Sequence, residues 1–326
     1  MIDIQVCPST LKEGFKTFSP YARKHFLGGR IVSHILPYES LSSGDGFTEN
    51  KGHLSLSGAQ EKYAAIIDGG VFRLTDEKEK GTYILKPILT GFENREYSPA
   101  NENLTMQIAA QVYGIQTAEN AVCFTRNGEP VYVTKRFDVR NDGSKLQQED
   151  LASLAGISKQ THGDNFKYDT LDYVDLAGII RKYVPAWPVE LVRYFDIVLF
   201  NFVFANGDAH VKNFSVLETT RGDFRLAPAY DLINTSLHIP NDRIFALRKG
   251  LYPDWNSELG ITGSDFLEFG RRIGLNETIA KKELERFCAD YEETDRLIDH
   301  SFLSVSLKEE YRRVYQTRIH SYLRQR

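Results

Sequence analysis

Asp208 and Asn213 stand five residues apart in a polar segment that follows a strongly apolar stretch of the chain. A carboxylate can orient a hydroxyl group and receive its proton, and an amide oxygen five residues later can hold a metal ion. This spacing is found in loops that catalyse phosphoryl transfer. Asp231 follows after a predicted hairpin and adds a second oxygen ligand, so the region could hold Mg²⁺ against the phosphates of ATP.

The same segment also has an ordinary explanation. An Asn-Gly-Asp sequence at the end of a helix is common turn chemistry, and Asp and Asn at this spacing often occur together by chance. Taken alone, the pattern favours a structural role. The hairpin and Asp231 shift the balance towards catalysis, because an isolated turn would not need a second oxygen ligand beyond it.

The first third of the chain contains groups that suit phosphate binding. Residues 55–62 are mostly small and polar, which would let backbone N–H groups approach phosphate oxygens. Lys86 ends an apolar strand, where an inward-pointing ammonium group needs an anion, and Glu102 in the next helix is a candidate partner. Each feature has a plain alternative: an ordinary turn, a solvated lysine, and a glutamate that favours the helix dipole.

The elements that must position these groups change in character at about residue 136. Before it the chain has mainly short runs typical of strands, together with one predicted helix over 102–113. After it the periodicity of helices dominates. We therefore expect an α+β fold with a β-rich lobe over 1–135 and a mostly helical lobe over 136–326, and ligands commonly bind where two lobes meet.

Composition narrows the class of protein. The 326 residues carry 40 Lys and Arg against 44 Asp and Glu, a net charge of -4, which argues against a function driven by bulk attraction to nucleic acid. Three widely spaced cysteines suggest neither a disulfide framework nor a zinc motif. The chain starts without the pattern of a signal peptide, and its most apolar stretch, 194–205, is too short to span a membrane. We expect a cytoplasmic protein with no membrane contact.

The motifs together resemble those of the HipA-like serine/threonine kinase toxins of bacterial toxin–antitoxin modules. The resemblance covers roughly residues 54–251 and rests on an ordered set of short matches, since each match is weak alone. These matches are residues 55–62, 83–86, 101–104, 135–138, 148–150, 206–214 and 226–231.

The resemblance implies a two-lobed protein-kinase-like fold that uses ATP and Mg²⁺. Asp208 would be the catalytic base, and Asn213 and Asp231 would be the metal ligands. Residues 135–137 would form the hinge that binds adenine. The expected ATP-binding residues are Ser57, Gly58, Ala59, Gln60, Glu61, Lys62, Lys86, Lys135, Arg136, Phe137, His210, Lys212 and Tyr230.

The family also implies regulation and partners. A serine of its phosphate loop undergoes inhibitory autophosphorylation, and both Ser55 and Ser57 match that region. The expected substrate is a protein serine on an aminoacyl-tRNA synthetase, and the expected partner is a helix-turn-helix antitoxin, so that the chain meets DNA only indirectly. Because the loop begins early in the chain, we expect a short form without the N-terminal subdomain, whose counterpart is a separate small protein.

Two other functions stay open. A small-molecule kinase of the aminoglycoside phosphotransferase type has a very similar catalytic loop, and residues 206–210 alone do not separate the two classes. The run 58–62 favours the toxin family. The second alternative is a weakly catalytic co-repressor that acts by docking a repressor, and measurable ATP turnover would argue against it.

Overall fold

The computed structural model of the protein describes residues 3–41, 60–140, 143–255 and 260–324. The chain forms two compact units. The first comprises Met1–Ser144, Leu237–Pro240 and Tyr291–Tyr311, and the second comprises Lys145–Ser236, Asn241–Asp290 and Arg312–Arg326. The first unit is therefore assembled from segments that are far apart in sequence.

Within the described residues, the first unit is built around a five-stranded antiparallel sheet in the order β2-β1-β3-β5-β4. The strands are β1 (Tyr63–Asp68), β2 (Val71–Leu74), β3 (Tyr83–Lys86), β4 (Asn120–Phe124) and β5 (Pro130–Lys135). Gly69 and Gly70 make the two-residue turn between β1 and β2, with φ of 55° and 77°. This left-handed conformation is what a tight hairpin requires, and glycine adopts it without steric cost.

Both faces of this sheet are covered. Side chains alternate between the faces of a strand, so Tyr83 and Leu85 point one way and Lys86 the other. Tyr83 and Leu85 pack against the N-terminal segment that contains α1 (Pro20–His25). The face that carries Lys86 packs against α2 (Ser98–Gln111), which is buried over nearly its whole length. A charged side chain is thus enclosed between the sheet and a helix.

The second unit holds a smaller antiparallel sheet, with three strands in the part of the chain that the structure describes. In sheet order they are β6 (Gln148–Asp150), β7 (Ser215–Glu218) and β8 (Phe224–Leu226). The helices of this unit are α3 (Leu151–Leu154), α4 (Lys159–His162), α5 (Phe166–Asp169), α6 (Tyr173–Tyr183), α7 (Trp187–Val203), α8 (Gly263–Arg272) and α9 (Glu277–Cys288).

The helix α7 forms the centre of the second unit. It packs against α6 and α9, and Phe195 stacks on Phe269 of α8 with ring centroids 5.8 Å apart. Enclosure by several neighbours explains why its sequence is apolar on most sides. No helix in the described ranges, α7 included, is long and apolar enough to cross a membrane.

Two later segments complete the first unit. Leu237–Pro240 is held by the amide of Asn94, which donates to the Leu237 carbonyl oxygen at 2.9 Å. The helix α10 (Glu292–His300) packs against α2. The helix α11 (Val305–Arg318) brings the hydroxyl of Tyr311 within 2.9 Å of the Thr105 hydroxyl on α2. The helix α2 is thus supported by residues that come 137 and 206 positions later in the chain.

Candidate functional site

The chain turns sharply where α7 ends and the proposed catalytic segment begins. Ala205 has φ of 50°, in the left-handed region that residues with a side chain rarely occupy. Its carbonyl oxygen accepts the N–H of Thr235 at 3.0 Å and lies 2.9 Å from the Thr235 hydroxyl oxygen. Asp231 shares the left-handed conformation, with φ of 55°. Such backbone strain costs about 1–3 kcal/mol per residue and concentrates at functional sites.

Asn206 connects the segment to its surroundings through its side-chain amide. The amide nitrogen donates to Oδ1 of Asn201 on α7 at 2.9 Å and to the carbonyl oxygen of Asp231 at 3.2 Å. The amide oxygen accepts the N–H of Asp208 at 3.2 Å. One buried side chain therefore joins the end of α7, the Asp208 segment and the Asp231 segment.

Gly207 lies against two polar residues, Thr235 and Asp242. Its N–H donates to Oγ1 of Thr235 at 2.7 Å, and the same hydroxyl donates to the carboxylate of Asp242. A Cβ atom at Gly207 would overlap that carboxylate. Burial raises the pKa of Asp242, and the Thr235 hydroxyl partly offsets this rise. The close approach explains why glycine is needed at this position.

Asp208, the expected catalytic base, is 6% exposed and is held by a residue outside the predicted motifs. The hydroxyl of Tyr168 on α5 donates to Oδ1 of Asp208 at 2.6 Å. Tyr168 is itself buried. Its place on a four-residue helix gives no periodic signal, so sequence patterns did not indicate it.

His210 is a buried, neutral imidazole. Desolvation, together with the smaller effect of the positive charge of Lys167, lowers its pKa to about 3. The ring of Tyr168 meets it edge-on at 5.3 Å. Among the described residues, Nδ1 of His210 is a buried atom without a hydrogen-bond partner. Such an atom suits a ligand that would supply the missing partner.

Lys212 and Tyr230 both contact strands of the small sheet. The Lys212 ammonium is 2.6 Å from Oδ2 of Asp150, and the two side chains are 42% and 21% exposed. The hydroxyl of Tyr230 donates to the Lys212 carbonyl oxygen at 2.9 Å and contacts the hydroxyl of Ser215. These contacts leave the Lys212 ammonium partly open to solvent, whereas the Tyr230 hydroxyl is engaged within the unit.

Asn213 and Asp231, the expected metal ligands, flank the β7–β8 hairpin. Asn213 ends the turn Val211–Asn213, where its N–H donates to the His210 carbonyl oxygen at 2.9 Å. An amide oxygen and a carboxylate fit Mg²⁺, which proteins often hold with one or two carboxylates plus phosphate oxygens. Over the described ranges, no group of three His, Cys, Asp or Glu side chains could hold a metal ion.

In the first unit, Lys86 and Glu102 form a buried ion pair. Nζ of Lys86 is 2.6 Å from Oε1 of Glu102, and each side chain is 5% exposed. The Lys86 ammonium also lies 5.2 Å from the centre of the Tyr132 ring. The neighbouring strand and the helix therefore both determine where this ammonium group points.

Part of the expected phosphate loop can be placed. The amide of Gln60 donates to the Pro87 carbonyl oxygen at 2.6 Å, directly after β3. Glu61 and Lys62 are exposed, and the carboxylate of Glu61 accepts a hydrogen bond from the Tyr63 hydroxyl. The remaining expected loop residues, Ser55, Ser57, Gly58 and Ala59, lie outside the described residues.

The expected hinge residues make contacts inside the first unit. The N–H groups of Lys135 and Arg136 donate to the carbonyl oxygens of Glu119 and Thr82, at 2.8 and 2.9 Å. The Arg136 guanidinium binds the Asp138 carboxylate through two hydrogen bonds of 2.9 and 2.6 Å. Phe137 is half-buried. These two N–H groups are thus engaged by the protein, and adenine binding at this hinge stays a prediction.

The expected site residues fall into one group in each unit. Those in the second unit are Asp208, His210, Lys212, Asn213, Tyr230 and Asp231. Those described in the first unit are Gln60, Glu61, Lys62, Lys86, Lys135, Arg136 and Phe137. Three residues that support the site residues of the second unit were missed by sequence patterns: Tyr168, Thr235 and Asp242. Asn206, which also supports them, lies in the matched run 206–214.

Comparison with known proteins gives relatives over most of the chain. A protein of Haemophilus influenzae named "Putative kinase" is 28% identical over 270 residues, which is 77% of this chain and 76% of that protein. "Putative kinase Y4mE" of Sinorhizobium fredii is 30% identical over 206 residues, 60% of this chain. That match spans 46% of the Sinorhizobium protein.

A solved structure shares the fold. The HipA chain in a Shewanella oneidensis complex of HipA, HipB and operator DNA superposes with a TM-score of 0.67 at 20% sequence identity. The superposition covers 84% of this chain and 66% of the HipA chain. It confirms the predicted α+β, two-lobed kinase-like fold. A family model described as the HipA-like C-terminal domain matches residues 54–294. The chain therefore belongs to the family of HipA-like C-terminal domains.

Proposed function

We propose that the chain is an ATP-dependent serine/threonine protein kinase that uses Mg²⁺ and acts as the toxin of a toxin–antitoxin pair. Membership in the HipA-like family and relatives named as kinases support the kinase activity. The observation that carries the proposal is the Asn206 side chain, which bonds to the N–H of Asp208 and the carbonyl oxygen of Asp231. It holds the proposed base and a proposed metal ligand on adjacent segments.

In this proposal Asp208 orients the acceptor hydroxyl and receives its proton. The hydroxyl oxygen bonds to the γ-phosphorus of ATP as the bond between that phosphorus and ADP breaks. The transition state of such transfers is loose, so the protein contributes mainly position and charge. Lys86, fixed by Glu102, supplies positive charge to the phosphates. Asn213 and Asp231 would hold Mg²⁺, which would supply positive charge beside the phosphates.

The decisive experiment compares the wild-type chain with Asp208→Asn. Both are incubated with radiolabelled ATP, Mg²⁺ and a cell lysate. We expect label on protein with the wild type only, because the variant keeps the size of the side chain but cannot take up a proton. Equal labelling by both chains would refute the assignment of Asp208. A parallel reaction with free hydroxylated compounds tests the small-molecule alternative.

Autophosphorylation is proposed at Ser55, Ser57 or both. Mass spectrometry of the chain after incubation with ATP identifies the modified residue. We expect phosphate on at least one of the two serines, none on the Ser55→Ala/Ser57→Ala double variant, and slower loss of activity with time in that variant. Phosphate found only elsewhere would remove both serines from the proposal.

The proposed substrate is an aminoacyl-tRNA synthetase. Phosphoproteomics after expression of the wild-type chain or Asp208→Asn would reveal it as a serine peptide that gains phosphate only with the active chain. Enriched phosphopeptides that all derive from unrelated proteins would overturn this choice of substrate without affecting the kinase assignment.

The proposed partner is a helix-turn-helix antitoxin, by analogy with the Shewanella HipA chain, which is bound to HipB and operator DNA. A separate small protein that resembles the family's N-terminal subdomain is a further proposed partner. Purification of the tagged chain from its native host should recover both small proteins in stoichiometric amounts. Recovery of the chain alone would count against both partners.

A further inference from the structure

Tyr168 makes a direct hydrogen bond to the side chain proposed as the catalytic base. Its hydroxyl donates to Oδ1 of Asp208 at 2.6 Å. Asp208 and Tyr168 are 6% and 5% exposed. A hydrogen bond to a carboxylate is short and strong, and one made in a buried position is little weakened by water. The rotation of the Asp208 carboxylate is therefore restricted by Tyr168.

Tyr168 is in turn held by contacts on several sides. The edge of its ring faces His210, and the guanidinium group of Arg243 lies 5.1 Å from the ring centre. Its carbonyl oxygen accepts the N–H of Arg248 at 3.0 Å. Tyr168 also packs with Ala209 and Ala246 in a small buried cluster. A side chain enclosed in this way can fix its partner to within the small tolerance that catalysis demands.

We propose that Tyr168 is a positioning residue for phosphoryl transfer, which holds the Asp208 carboxylate in the orientation that receives the acceptor proton. This inference rests on the proposed kinase function. It adds a residue from outside the catalytic segment, located 40 positions before Asp208. Tyr168 itself does not touch the reacting atoms in this proposal.

A purely structural role would also explain a buried tyrosine, because its hydroxyl needs a partner wherever it lies. The two roles differ in their consequences. If Tyr168 only fills space, removing the hydroxyl changes stability and leaves the kinetics of the folded chain unchanged. If it positions Asp208, the loss slows phosphoryl transfer and spares ATP binding, since the ring and its packing remain.

The experiment uses the full-length chain and the variants Tyr168→Phe, Tyr194→Phe and Asp208→Asn. Tyr194 is the matched control, because it is a fully buried tyrosine whose hydroxyl donates to a backbone carbonyl oxygen, that of Tyr173, at 2.8 Å. Initial rates of label transfer from radiolabelled ATP to protein of a cell lysate are measured against ATP concentration and between about pH 5 and pH 9. Thermal unfolding of each variant is recorded in parallel.

For Tyr168→Phe we expect kcat to fall by about tenfold to a hundredfold with the KM for ATP within about twofold of wild type. The acidic limb of its rate–pH profile should move to higher pH, because the ionised carboxylate has lost a donor that stabilises it. Tyr194→Phe should keep the wild-type kcat and rate–pH profile, even if its melting temperature falls as much as that of Tyr168→Phe.

The outcomes separate the two hypotheses. Wild-type activity that is lost in Asp208→Asn and unchanged in Tyr168→Phe overturns the positioning role alone. A fall in kcat that both tyrosine variants share in proportion to their loss of stability overturns it as well. A wild-type chain that transfers no phosphate, or one whose transfer survives in Asp208→Asn, refutes the proposed function and this inference with it.

Discussion

Nζ of Lys86 lies 2.6 Å from Oε1 of Glu102, and both side chains are almost completely buried. Removing one partner of a buried ion pair takes away the opposite charge that offsets the desolvation of the other, which costs about 3–5 kcal/mol. We therefore expect Glu102→Leu to lower the free energy of unfolding by about this amount, measured by urea denaturation.

The double variant Lys86→Met/Glu102→Leu provides the control for this pair. Replacing both charges with apolar side chains of similar volume should restore most of the stability, since no unpaired charge remains. We expect no phosphoryl transfer by this double variant, because it lacks the charge that Lys86 is proposed to supply to the phosphates. A double variant that is stable and fully active would show that the pair has only a structural role.

Lys212 and Asp150 form an ion pair of the same length in a much more exposed position. Exposed pairs contribute at most about 1 kcal/mol, so neither Lys212→Met nor Asp150→Asn should alter the free energy of unfolding by more than that. Asn at position 150 can still cap α3, as Asp150 does through the N–H of Ser153.

The two variants should differ in kinetics. We expect Lys212→Met to raise the KM for ATP by about tenfold, because the proposed charged contact of Lys212 to phosphate would be lost. Asp150→Asn should leave that KM near the wild-type value, since only the partner of Lys212 changes. Similar KM values in the two variants would indicate that Lys212 acts through Asp150 instead of on the nucleotide.

Gly207 approaches the Asp242 carboxylate so closely that an added methyl group would overlap it. Gly207→Ala should therefore displace the Asp208 segment, at a cost of about 1–3 kcal/mol in stability and at least about tenfold in the rate of phosphoryl transfer. Gly178 in the middle of α6 is the matched control, because an added methyl group there meets open space. Gly178→Ala should raise stability by about 0.5–1 kcal/mol through helix propensity and leave the rate unchanged.

His238 predicts a dependence of stability on pH. Burial lowers its pKa below the ordinary value of 6.5, and the Glu93 carbonyl oxygen, 2.9 Å from Nδ1, partly offsets this. Nε2 lies 3.0 Å from the amide nitrogen of Asn101 and accepts a hydrogen bond from it when the ring is neutral. Below about pH 6.5 the unfolded chain binds a proton at His238 that the folded chain does not bind. The free energy of unfolding therefore falls as the pH decreases from about 6.5.

His238 can change the free energy of unfolding by at most about 1.4 kcal/mol per pH unit, the value for one bound proton. Urea unfolding at about pH 7.5 and about pH 5 should show a smaller change in the free energy of unfolding for His238→Gln than for the wild type. At the higher pH we expect His238→Gln to lower stability, because glutamine does not fully reproduce the hydrogen bonds of the imidazole. Equal changes in the two chains would exclude His238 as the source.

Short sequence patterns predicted several individual elements of the fold. They did not predict how those elements pack together. The helix expected over 102–113 is α2 (Ser98–Gln111), and Asn127 and Gly128, a pair typical of hairpin turns, lie between β4 and β5. The sequence did not reveal that Leu237–Pro240 and Tyr291–Tyr311 belong to the first unit. Periodicity and turn chemistry describe neighbours in sequence, whereas contacts such as Thr105 with Tyr311 depend on how distant segments pack.

The candidate site shows the same limit. Groups that do chemistry at fixed spacing, such as Asp208 and Asn213, can be found from motifs. Tyr168 and Asp242 reach the site from elsewhere, and their types alone are unremarkable. Their roles depend on burial and on single close contacts, which no local pattern encodes.

The hydrogen bond between Thr105 and Tyr311 joins residues 206 positions apart. A ribosome that adds about 5–20 residues per second needs about 10–40 seconds to travel that distance. During that interval α2, which carries Glu102, lacks the residues that close around it. The helix that carries Glu102 therefore gains its contact with Tyr311 only after that residue has been synthesised. A nascent chain would thus expose its proposed ATP-binding residues for many seconds before α2 has all its contacts, which gives a binding partner time to engage the chain before its fold is complete.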